Sequence, residues 1–254
     1  MTASRSARGR HRDALAVIAK EPVAGLAKTR LIPALREREA ARAATAMLAD
    51  TLAAVRASGA DPWLCYTPSD ARARLGRLCP GFGLLAQAAG DLGDRLADLL
   101  GAGADRVAIV GADTPHLPQA SYRRAFALLD EADVVLGPAL DGGYYLVAAT
   151  AARPELFVGV PMGTEVVLAE TMARAARAGL AVALLPPLRD LDRAEDLAAA
   201  LAAGELAAAP ATLAAATELL DGNLDPVHPA GWRLRYAATA GADGWATMSR
   251  DGSC

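Results

Sequence analysis

The chain has 254 residues, a net charge of −3, and an apolar fraction of 53% with only 4% aromatic residues. This charge gives no general reason to expect a nucleic-acid partner, and no stretch approaches the roughly 18 apolar residues of a membrane span. The three cysteines and three histidines lack the paired spacings of a zinc site or a disulfide framework. We therefore expect a cytoplasmic protein that binds neither nucleic acid nor membrane, built on one large α/β domain.

Composition divides the chain into three parts. Residues 1–12 are rich in arginine and nearly devoid of apolar side chains, which predicts a disordered basic tail. The apolar run that follows them is too short for a signal peptide. Residues 13–220 carry strand and helix patterns and form the predicted domain. Residues 221–254 lose this periodicity and are expected to be an irregular extension, free or lying across the domain or a neighbouring subunit. A homodimer is left open.

Strand and helix patterns alternate along the domain. Strands are predicted at 14–19, 62–66, 82–87, 106–110, 133–136, 144–149 and 181–185. Helices are predicted at 37–57, 70–78, 93–100, 119–129, 164–178, 194–202 and 210–219. Such alternation is typical of a mostly parallel sheet covered on both faces, with ligands at the carboxyl ends of the strands. Strand 144–149 follows its predecessor too closely for a helical crossover, so we expect it to be antiparallel or displaced.

A cationic loop follows the first predicted strand and runs from Lys20 to Leu31. Backbone N–H groups at a loop and helix start carry partial positive charge, and lysine and arginine side chains add full charges, so the loop is predicted to bind phosphate oxygens. It is not a Walker A motif, because Ala27 rather than glycine precedes Lys28, and it lacks the Rossmann glycine pattern. The candidate binding residues of this loop are Lys20, Gly25, Lys28, Thr29 and Arg30.

Two aspartates follow other predicted strands. Asp113 comes directly after strand 106–110, where ligands bind in parallel sheets, and a carboxylate there suits Mg²⁺ or Mn²⁺. Asp113 could instead be a turn or cap residue before the next helix. Asp192 follows the last strand and is either a second metal ligand or the cap of helix 194–202.

A glycine-rich turn precedes strand 144–149. Gly142 and Gly143 would allow a ligand to approach the backbone closely, and Asp141 could bind a metal, a hydroxyl or an amine. The alternative is a plain Asp-Gly hairpin turn. Gln87 lies at another predicted strand end and could read the edge of a nucleobase.

Taken together and in this order, these motifs resemble a bacterial family. The motifs are Lys-x-Pro-x-x-Gly-x-x-Lys-Thr-Arg-Leu at 20–31, Gly-Asp-Leu-Gly-x-Arg-Leu at 90–96, Gly-x-Asp-x-Pro-x-Leu at 111–117, Gly-Pro-x-x-Asp-Gly-Gly-Tyr-Tyr-Leu at 137–146 and Asp-x-Asp-x-x-x-Asp-Leu at 190–197. They are similar to the glycosyltransferase-like "transferase 1" family, which is associated with radical-SAM and selenodomain gene neighbourhoods and belongs to the GT-A nucleotide-diphospho-sugar transferase superfamily. The resemblance spans 14–220 and departs from the family at Ala24, where the family usually has a second proline.

The resemblance implies a GT-A-like three-layer α/β/α fold with a mostly parallel sheet and one antiparallel strand. It also implies a transferase that uses Mg²⁺ or Mn²⁺, a nucleotide and a small-molecule acceptor. The segments at 28–31 and 112–115 are similar to those of 2-phospho-L-lactate and phosphoenolpyruvate guanylyltransferases. This likeness favours nucleotidyl transfer to a phosphorylated or phosphonate acceptor with release of pyrophosphate. The alternatives are glycosyl transfer from an NDP-sugar and a nucleotide-binding protein without turnover.

The implied roles follow the motifs. Lys28 and Arg30 hold the phosphates and, with Asp113, carry catalysis, while Asp113 and Asp192 bind the metal. Ala112 and Gln87 complete the nucleotide site. The acceptor-binding residues are Asp141, Gly142, Gly143 and Tyr144.

Overall fold

A seven-stranded sheet forms the centre of the protein. The computed structural model describes residues 12–32 and 34–221 and three short strands beyond them. The central strands are β1 (Asp13–Lys20), β2 (Asp61–Thr67), β3 (Gly83–Ala86), β4 (Arg106–Gly111), β5 (Val134–Pro138), β6 (Tyr144–Ala149) and β7 (Val182–Leu184). Their spatial order is β3-β2-β1-β4-β6-β5-β7. All neighbours are parallel except that β6 runs antiparallel to both β4 and β5, which confirms the predicted sheet with one antiparallel strand.

Helices cover both faces of the sheet. They are α1 (Glu37–Ser58), α2 (Arg72–Gly76), α3 (Leu92–Leu100), α4 (Gln119–Leu128), α5 (Pro154–Phe157), α6 (Val167–Arg177), α7 (Ala194–Ala202) and α8 (Pro210–Asp221). Alternating side chains of β1 point to opposite faces: Leu15 and Val17 pack with α1, α2 and α4, whereas Ala16 packs with α3, α5 and α6. A third apolar cluster joins α1 to α7 and α8. The three-layer α/β/α architecture is therefore confirmed.

The predicted elements are all present, with shifted ends and three additions. The helix predicted at 70–78 is a 3-10 turn, Ser69–Ala71, followed by the short α2, and the helix predicted at 164–178 begins only at Val167. The sequence patterns missed α5 and the 3-10 turns Thr29–Leu31 and Glu205–Ala208, which are too short to show a helical period. None of the helices in the described ranges has the length and apolar content needed to cross a membrane.

The structure describes only some residues of the two predicted terminal segments. The basic tail at 1–12 lies outside the described residues except for its last residue. Within the predicted irregular extension at 221–254, the described residues form a small antiparallel sheet of three short strands, β8 (Leu224–Asp225), β9 (Arg233–Arg235) and β10 (Trp245–Thr247). The rest of that extension lies outside the described residues.

A buried carboxylate joins the first long helix to the last one. Asp50 in α1 is only 7% exposed. Its side chain accepts hydrogen bonds from the backbone N–H groups of Ala211 at 3.2 Å and Thr212 at 2.7 Å, and from the Thr212 hydroxyl at 2.7 Å. The first N–H groups of a helix have no partner within the helix, so Asp50 supplies this missing acceptor to α8.

Replacing Asp50 by alanine is expected to lower the free energy of unfolding by about 2–3 kcal/mol, because it leaves buried donors of α8 without an acceptor. Urea denaturation followed by circular dichroism measures this change. The control is Thr45→Ala on the exposed face of the same helix, for which we expect a change within about 0.5 kcal/mol. Equal effects of the two substitutions would contradict the assigned role of Asp50.

Candidate active site

The cationic loop and Asp113 emerge side by side from neighbouring strands. The loop follows β1 and Asp113 follows β4, and these two strands are parallel and adjacent. The chain proceeds from β1 to β2 and β3 on one side, while β4 lies on the other side of β1. This is a topological switch point, where the connections leave a crevice outside the carboxyl ends of the strands.

Lys28 has a backbone conformation that side chains rarely adopt. It is the one non-glycine residue with a positive φ, +48°, among those the structure describes. The left-handed region costs a non-glycine residue roughly 1–2 kcal/mol, so the surrounding contacts must hold this conformation in place. Lys28 immediately precedes the 3-10 turn Thr29–Leu31, and the buried Leu31 anchors that turn in the apolar cluster shared with α1.

The Lys28 ammonium bridges the two aspartates that were predicted from the sequence to be metal ligands. Its Nζ atom lies 2.6 Å from Oδ1 of Asp113 and 2.7 Å from Oδ1 of Asp192. Nζ also donates a hydrogen bond of 2.9 Å to the carbonyl of Leu191, and the Leu191 N–H donates to the Asp113 carbonyl at 2.8 Å. Arg30 completes the cluster through a contact of 2.8 Å to Oδ2 of Asp192. Three separate chain segments are thereby held together.

Burial and charge oppose each other in this cluster. The Lys28 side chain is only 10% exposed. Burial alone would lower the pKa of Lys28, but the carboxylates of Asp113 and Asp192 outweigh it and raise the pKa. Burial would likewise raise the pKa of Asp192, but the charges and hydrogen bonds of Lys28 and Arg30 lower it. Lys28 and Asp192 are therefore both charged at neutral pH, and each stabilises the ionised form of the other.

Asp192 is not the cap of the helix that follows it. The N-terminal position of α7 is taken by Arg193, whose backbone N–H donates to Oδ2 of Asp196 at 2.8 Å. Asp113 likewise makes no cap for α4, whose N-terminal neighbour is Pro118 without a side-chain cap. Neither aspartate is therefore a helix cap, although Asp113 does lie in the turn that follows β4, as its alternative interpretation allowed.

A cavity of about 330 Å³ lies beside this cluster. Its volume is in the range of small-molecule binding sites. The predicted phosphate-binding residues on its wall are Lys20, Lys28, Thr29 and Arg30. Ala112, Asp113 and Asp192 line it from the strand ends, and Ala44, Met47 and Leu48 of α1 give it an apolar side. Gly25 does not line this cavity; its φ of +76° shapes the loop, where a β-carbon would lie 3.2 Å from the Glu37 carboxylate.

The loop carries a compositional signal that motif reasoning missed. Of the 26 cationic residues in the chain, only Lys20 and Lys28 are lysines, and both lie in this loop. Arginine supplies every other cation, including those in the surface ion pairs. The compact ammonium of lysine has three donors, whereas guanidinium is planar and forked. A count of lysine against arginine therefore singles out this loop from the sequence alone.

The acceptor-side residues form a tight turn in front of β6. Oδ1 of Asp141 accepts a hydrogen bond of 2.9 Å from the N–H of Gly143, and Ala139 and Gly143 pair across the turn. The hairpin alternative therefore holds for the backbone, and Asp141 remains exposed to solvent. Gly142 contacts the segment before α6: a β-carbon on it would lie 2.1 Å from the carbonyl oxygen of Glu165.

Tyr144 contributes packing at the start of β6. Its ring stacks edge-on against Phe157 at 6.5 Å, and its hydroxyl lies 3.8 Å from the sulfur of Met162. Burial raises the pKa of Tyr144 to about 12, so its hydroxyl stays protonated. The structure thus gives Tyr144 internal partners, and its acceptor-binding role stays a prediction.

Asp190 joins the acidic side of the site. Burial, followed by the charges of Asp141 and Asp192, raises the pKa of Asp190 to about 6. The charges of Asp141 and Asp192 therefore reach Asp190, although Asp141 comes from a different loop. Asp190 was part of the Asp-x-Asp motif in the sequence, but its spacing gave no sign of this coupling.

Gln87 has partners other than the predicted nucleobase. Its side-chain nitrogen donates to the carbonyl of Ala19 at 3.0 Å and to that of Cys65 at 2.8 Å, and its oxygen accepts from Arg95 at 3.0 Å. These bonds tie the ends of β1 and β2 together beside the cationic loop. To recognise a nucleobase, Gln87 would have to give up these hydrogen bonds. In this structure Gln87 holds the strand ends in position, and recognition of a base by Gln87 stays a prediction.

The carboxylates of Asp113 and Asp192 suit a magnesium ion whose remaining ligands come from water and substrate. Within the described ranges, no group of three or more histidine, cysteine, aspartate or glutamate residues is arranged to hold a metal. Asp113 and Asp192 nevertheless converge on a single cationic atom. Mg²⁺ is commonly bound by one or two carboxylates together with water and substrate phosphates. The residues present therefore fit such an ion.

The fold belongs to the class seen in nucleotide-diphospho-sugar transferases. A solved structure from Desulfovibrio desulfuricans G20, described as a candidate nucleotide-diphospho-sugar transferase, is 29% identical with a TM-score of 0.76. The match covers 82% of this chain and 95% of that chain.

Two further solved structures share the fold at lower identity. One is CMP:2-keto-3-deoxy-manno-octonic acid synthetase complexed with CTP, at 13% identity and a TM-score of 0.50, covering 77% of this chain and 100% of that chain. The other is a nucleotidyl transferase from Methanothermobacter thermautotroptrophicus, at 16% identity and a TM-score of 0.51, covering 75% of this chain and 96% of that chain.

A family model also matches part of the sequence. The family, described as an uncharacterized protein conserved in bacteria (DUF2064), matches residues 49–164. This range includes Asp113 and the turn at Asp141 but neither Lys28 nor Asp192. Among curated proteins, none matches the chain.

Replacing Gly142 by alanine is expected to destabilise the protein by about 2 kcal/mol or more, because φ is +90° and the added carbon would overlap the Glu165 carbonyl. The matched control is Gly143→Ala in the same turn. There, φ lies outside the left-handed region and the added carbon meets only the Asp141 side chain at 3.2 Å, so we expect a loss below about 1 kcal/mol. Thermal and urea unfolding of both variants measure the difference, and a reversed order would refute the close packing of this turn.

Proposed function

We propose that the protein is a metal-dependent nucleotidyltransferase that joins an NTP to a small phosphorylated or phosphonate acceptor and releases pyrophosphate. The observation that carries this proposal is the buried Lys28 ammonium at the β1–β4 switch point, in contact with both Asp113 and Asp192. Cations and paired carboxylates lie together there beside a cavity of nucleotide-compatible size.

The cationic loop is the phosphate-binding side of this proposal. Lys20, Thr29 and Arg30 line the cavity with exposed polar groups, and Lys28 lies at its inner wall. Positive charge at this position neutralises the oxygens of a triphosphate and stabilises the charge that develops on the leaving pyrophosphate. Hydrogen bonds between backbone N–H and carbonyl groups hold the turn 29–31, and this turn keeps Arg30 in place beside Asp192.

Asp113 and Asp192 are the proposed ligands of Mg²⁺ or Mn²⁺. The ion would neutralise charge on the nucleotide and acceptor phosphates. In the absence of substrate, water would complete its set of ligands. Asp141, Gly142 and Gly143 lie at the same edge of the sheet, because β6 begins where the neighbouring parallel strands end. We place the acceptor on that side.

The reaction depends on the positioning of the two substrates more than on covalent participation by protein groups. An oxygen of the acceptor phosphate attacks the α-phosphorus of the NTP, the bond from that phosphorus to the bridging oxygen breaks, and pyrophosphate leaves with the electron pair. No proton transfer to a protein group is required when the acceptor oxygen is already ionised. The cationic loop and the two aspartates then contribute by aligning two polyanions and by offsetting their charge.

Glycosyl transfer from an NDP-sugar is the second candidate. It is favoured by the 29% identity to the candidate nucleotide-diphospho-sugar transferase, which is higher than the identity to the two nucleotidyltransferase-like structures. In this alternative, the same cations hold a diphosphate, and Asp141 anchors or deprotonates the acceptor hydroxyl.

A ligand screen separates the two candidates. Thermal-shift measurements with NTPs and NDP-sugars, with and without Mg²⁺, identify the nucleotide, because a ligand that binds only the folded state raises its apparent stability. Incubation of that nucleotide with phosphorylated acceptors follows, with pyrophosphate as the readout. NDP-sugar hydrolysis or transfer without pyrophosphate would favour the second candidate, and nucleotide binding without turnover would indicate a non-catalytic protein.

Asp113→Asn is expected to lower kcat by about a hundredfold or more, because it removes one charge from the proposed metal site with little change in shape. The control is Asp105→Asn, an exposed aspartate before β4 at the opposite edge of the sheet. Steady-state kinetics with the nucleotide and acceptor that the ligand screen identifies measure both. Near-normal turnover of the Asp113 variant would exclude it as a metal ligand.

A further inference from the structure

Three oxygen atoms of the protein surround the Lys28 ammonium. Its Nζ atom donates hydrogen bonds to Asp192 at 2.7 Å and to the carbonyl of Leu191 at 2.9 Å, and it forms an ion pair with Asp113 at 2.6 Å. An ammonium has three donors and no more. In this arrangement Lys28 therefore has no donor to offer to a phosphate, although it lines the proposed nucleotide cavity.

The position of Nζ is also the position that a divalent cation needs. Oδ1 of Asp113 and Oδ1 of Asp192 both converge on this one atom. An ammonium and a divalent ion cannot share the same pair of oxygens at bonding distance, because the oxygens are already engaged and two cations repel each other. Occupation of the two aspartates by one cation therefore excludes the other.

We propose that Lys28 is an exchangeable occupant of the metal site: it bridges Asp113 and Asp192 in the free protein and turns to the nucleotide phosphates when a divalent cation takes its place. This inference rests on the proposed function, because it assumes that the two aspartates bind metal. It adds an order to that function. The full phosphate-binding charge forms only after metal has arrived.

The geometry allows this exchange without unfolding the loop. Lys28 has a long, flexible side chain that borders the cavity, so its head group can rotate from the aspartates into that space. Arg30 contacts the other oxygen of Asp192, at 2.8 Å, and can keep that carboxylate in place during the exchange. Asp113 is 48% exposed and is open to an incoming ion.

The charge facing the nucleotide changes strongly as a result. With Lys28 on the aspartates, its positive charge is used, together with that of Arg30, to compensate the two carboxylates. After exchange, a divalent ion compensates them fully and the lysine charge becomes available to the phosphates. A nucleotide that arrives without metal meets a surface with less positive charge, so metal-free nucleotide is disfavoured.

Metal affinity in the absence of nucleotide tests the exchange directly. In Lys28→Met the competing cation is gone, so calorimetric titration with Mn²⁺ should show binding about tenfold tighter than in the wild type, as expected when the binding-competent state is no longer a minor one. Arg30→Met is the matched control. It also removes a positive charge from Asp192 but leaves Lys28 between the aspartates, so any gain in Mn²⁺ affinity should be clearly smaller than that of Lys28→Met.

Nuclear magnetic resonance of the wild type gives a second measurement that needs no variant of Lys28. The chain has only two lysines, so protein with ¹⁵N-labelled lysine side chains yields two ammonium signals, assigned with Lys20→Arg. Mg²⁺ alone should shift the Lys28 signal and leave that of Lys20 near its original position. This experiment decides the question if Lys28→Met does not fold.

The outcomes separate this inference from the proposed function. Equal Mn²⁺ affinities for the Lys28 and Arg30 variants, or a Lys28 signal that does not move at saturating Mg²⁺, overturn the exchange. If nucleotide binding still requires Mg²⁺ in that case, the proposed function stands without it. If neither metal nor nucleotide binds to any form, both fail.

Discussion

The structure around the site depends on the pairing of one buried ammonium with two carboxylates. An isolated charge with 10% exposure is costly, and it is tolerated here because Asp113 and Asp192 lie within 2.7 Å of it. Lys28 and Asp192 are 164 residues apart in the chain. The contact of Lys28 with Asp113 requires β1 and β4 to be adjacent, and its contact with Asp192 requires the segment after β7 to cross the same edge of the sheet. The pairing thus fixes the loop connections as much as the sheet does.

Two halves with different electrostatic character meet at this pairing. The loop after β1 contributes cations, and the segments after β5 and β7 contribute Asp141, Asp190 and Asp192. Burial, followed by the charges of Asp141 and Asp192, raises the pKa of Asp190 to about 6. A polyanionic ligand with a bound divalent ion is complementary to both halves at once, whereas a neutral ligand is complementary to neither.

The sequence predicts the fold well and the site in outline. The alternation of strands and helices is a local signal, and the short spacing before β6 predicted an antiparallel or displaced strand. The spatial order of the strands was not predicted and comes from the structure. The convergence of Lys28 with Asp113 and Asp192 could only be inferred from strand ends. The contacts of Gln87 depend on carbonyls of β1 and β2 that no pattern reveals. Arg193 rather than Asp192 occupies the N-cap position of α7, and Asp192 contacts Lys28 and Arg30 instead. Local sequence patterns do not reveal such contacts between residues distant in the chain.

The antiparallel strand β6 has a consequence for how such a protein diversifies. Between parallel strands, the chain must return through a helix that is packed on the sheet, and any change in its length disturbs the core. Here the return at Asp141 is a turn of a few residues on the surface, hydrogen-bonded to itself, to Leu168 in the first turn of α6 and to Leu188 after β7. Insertions at this turn would change the surface at the carboxyl ends of the parallel strands while leaving the cationic loop, Lys28 and the core helices as they are. Under the proposed function, selection for a new acceptor can therefore act on one hairpin, independently of the cationic loop.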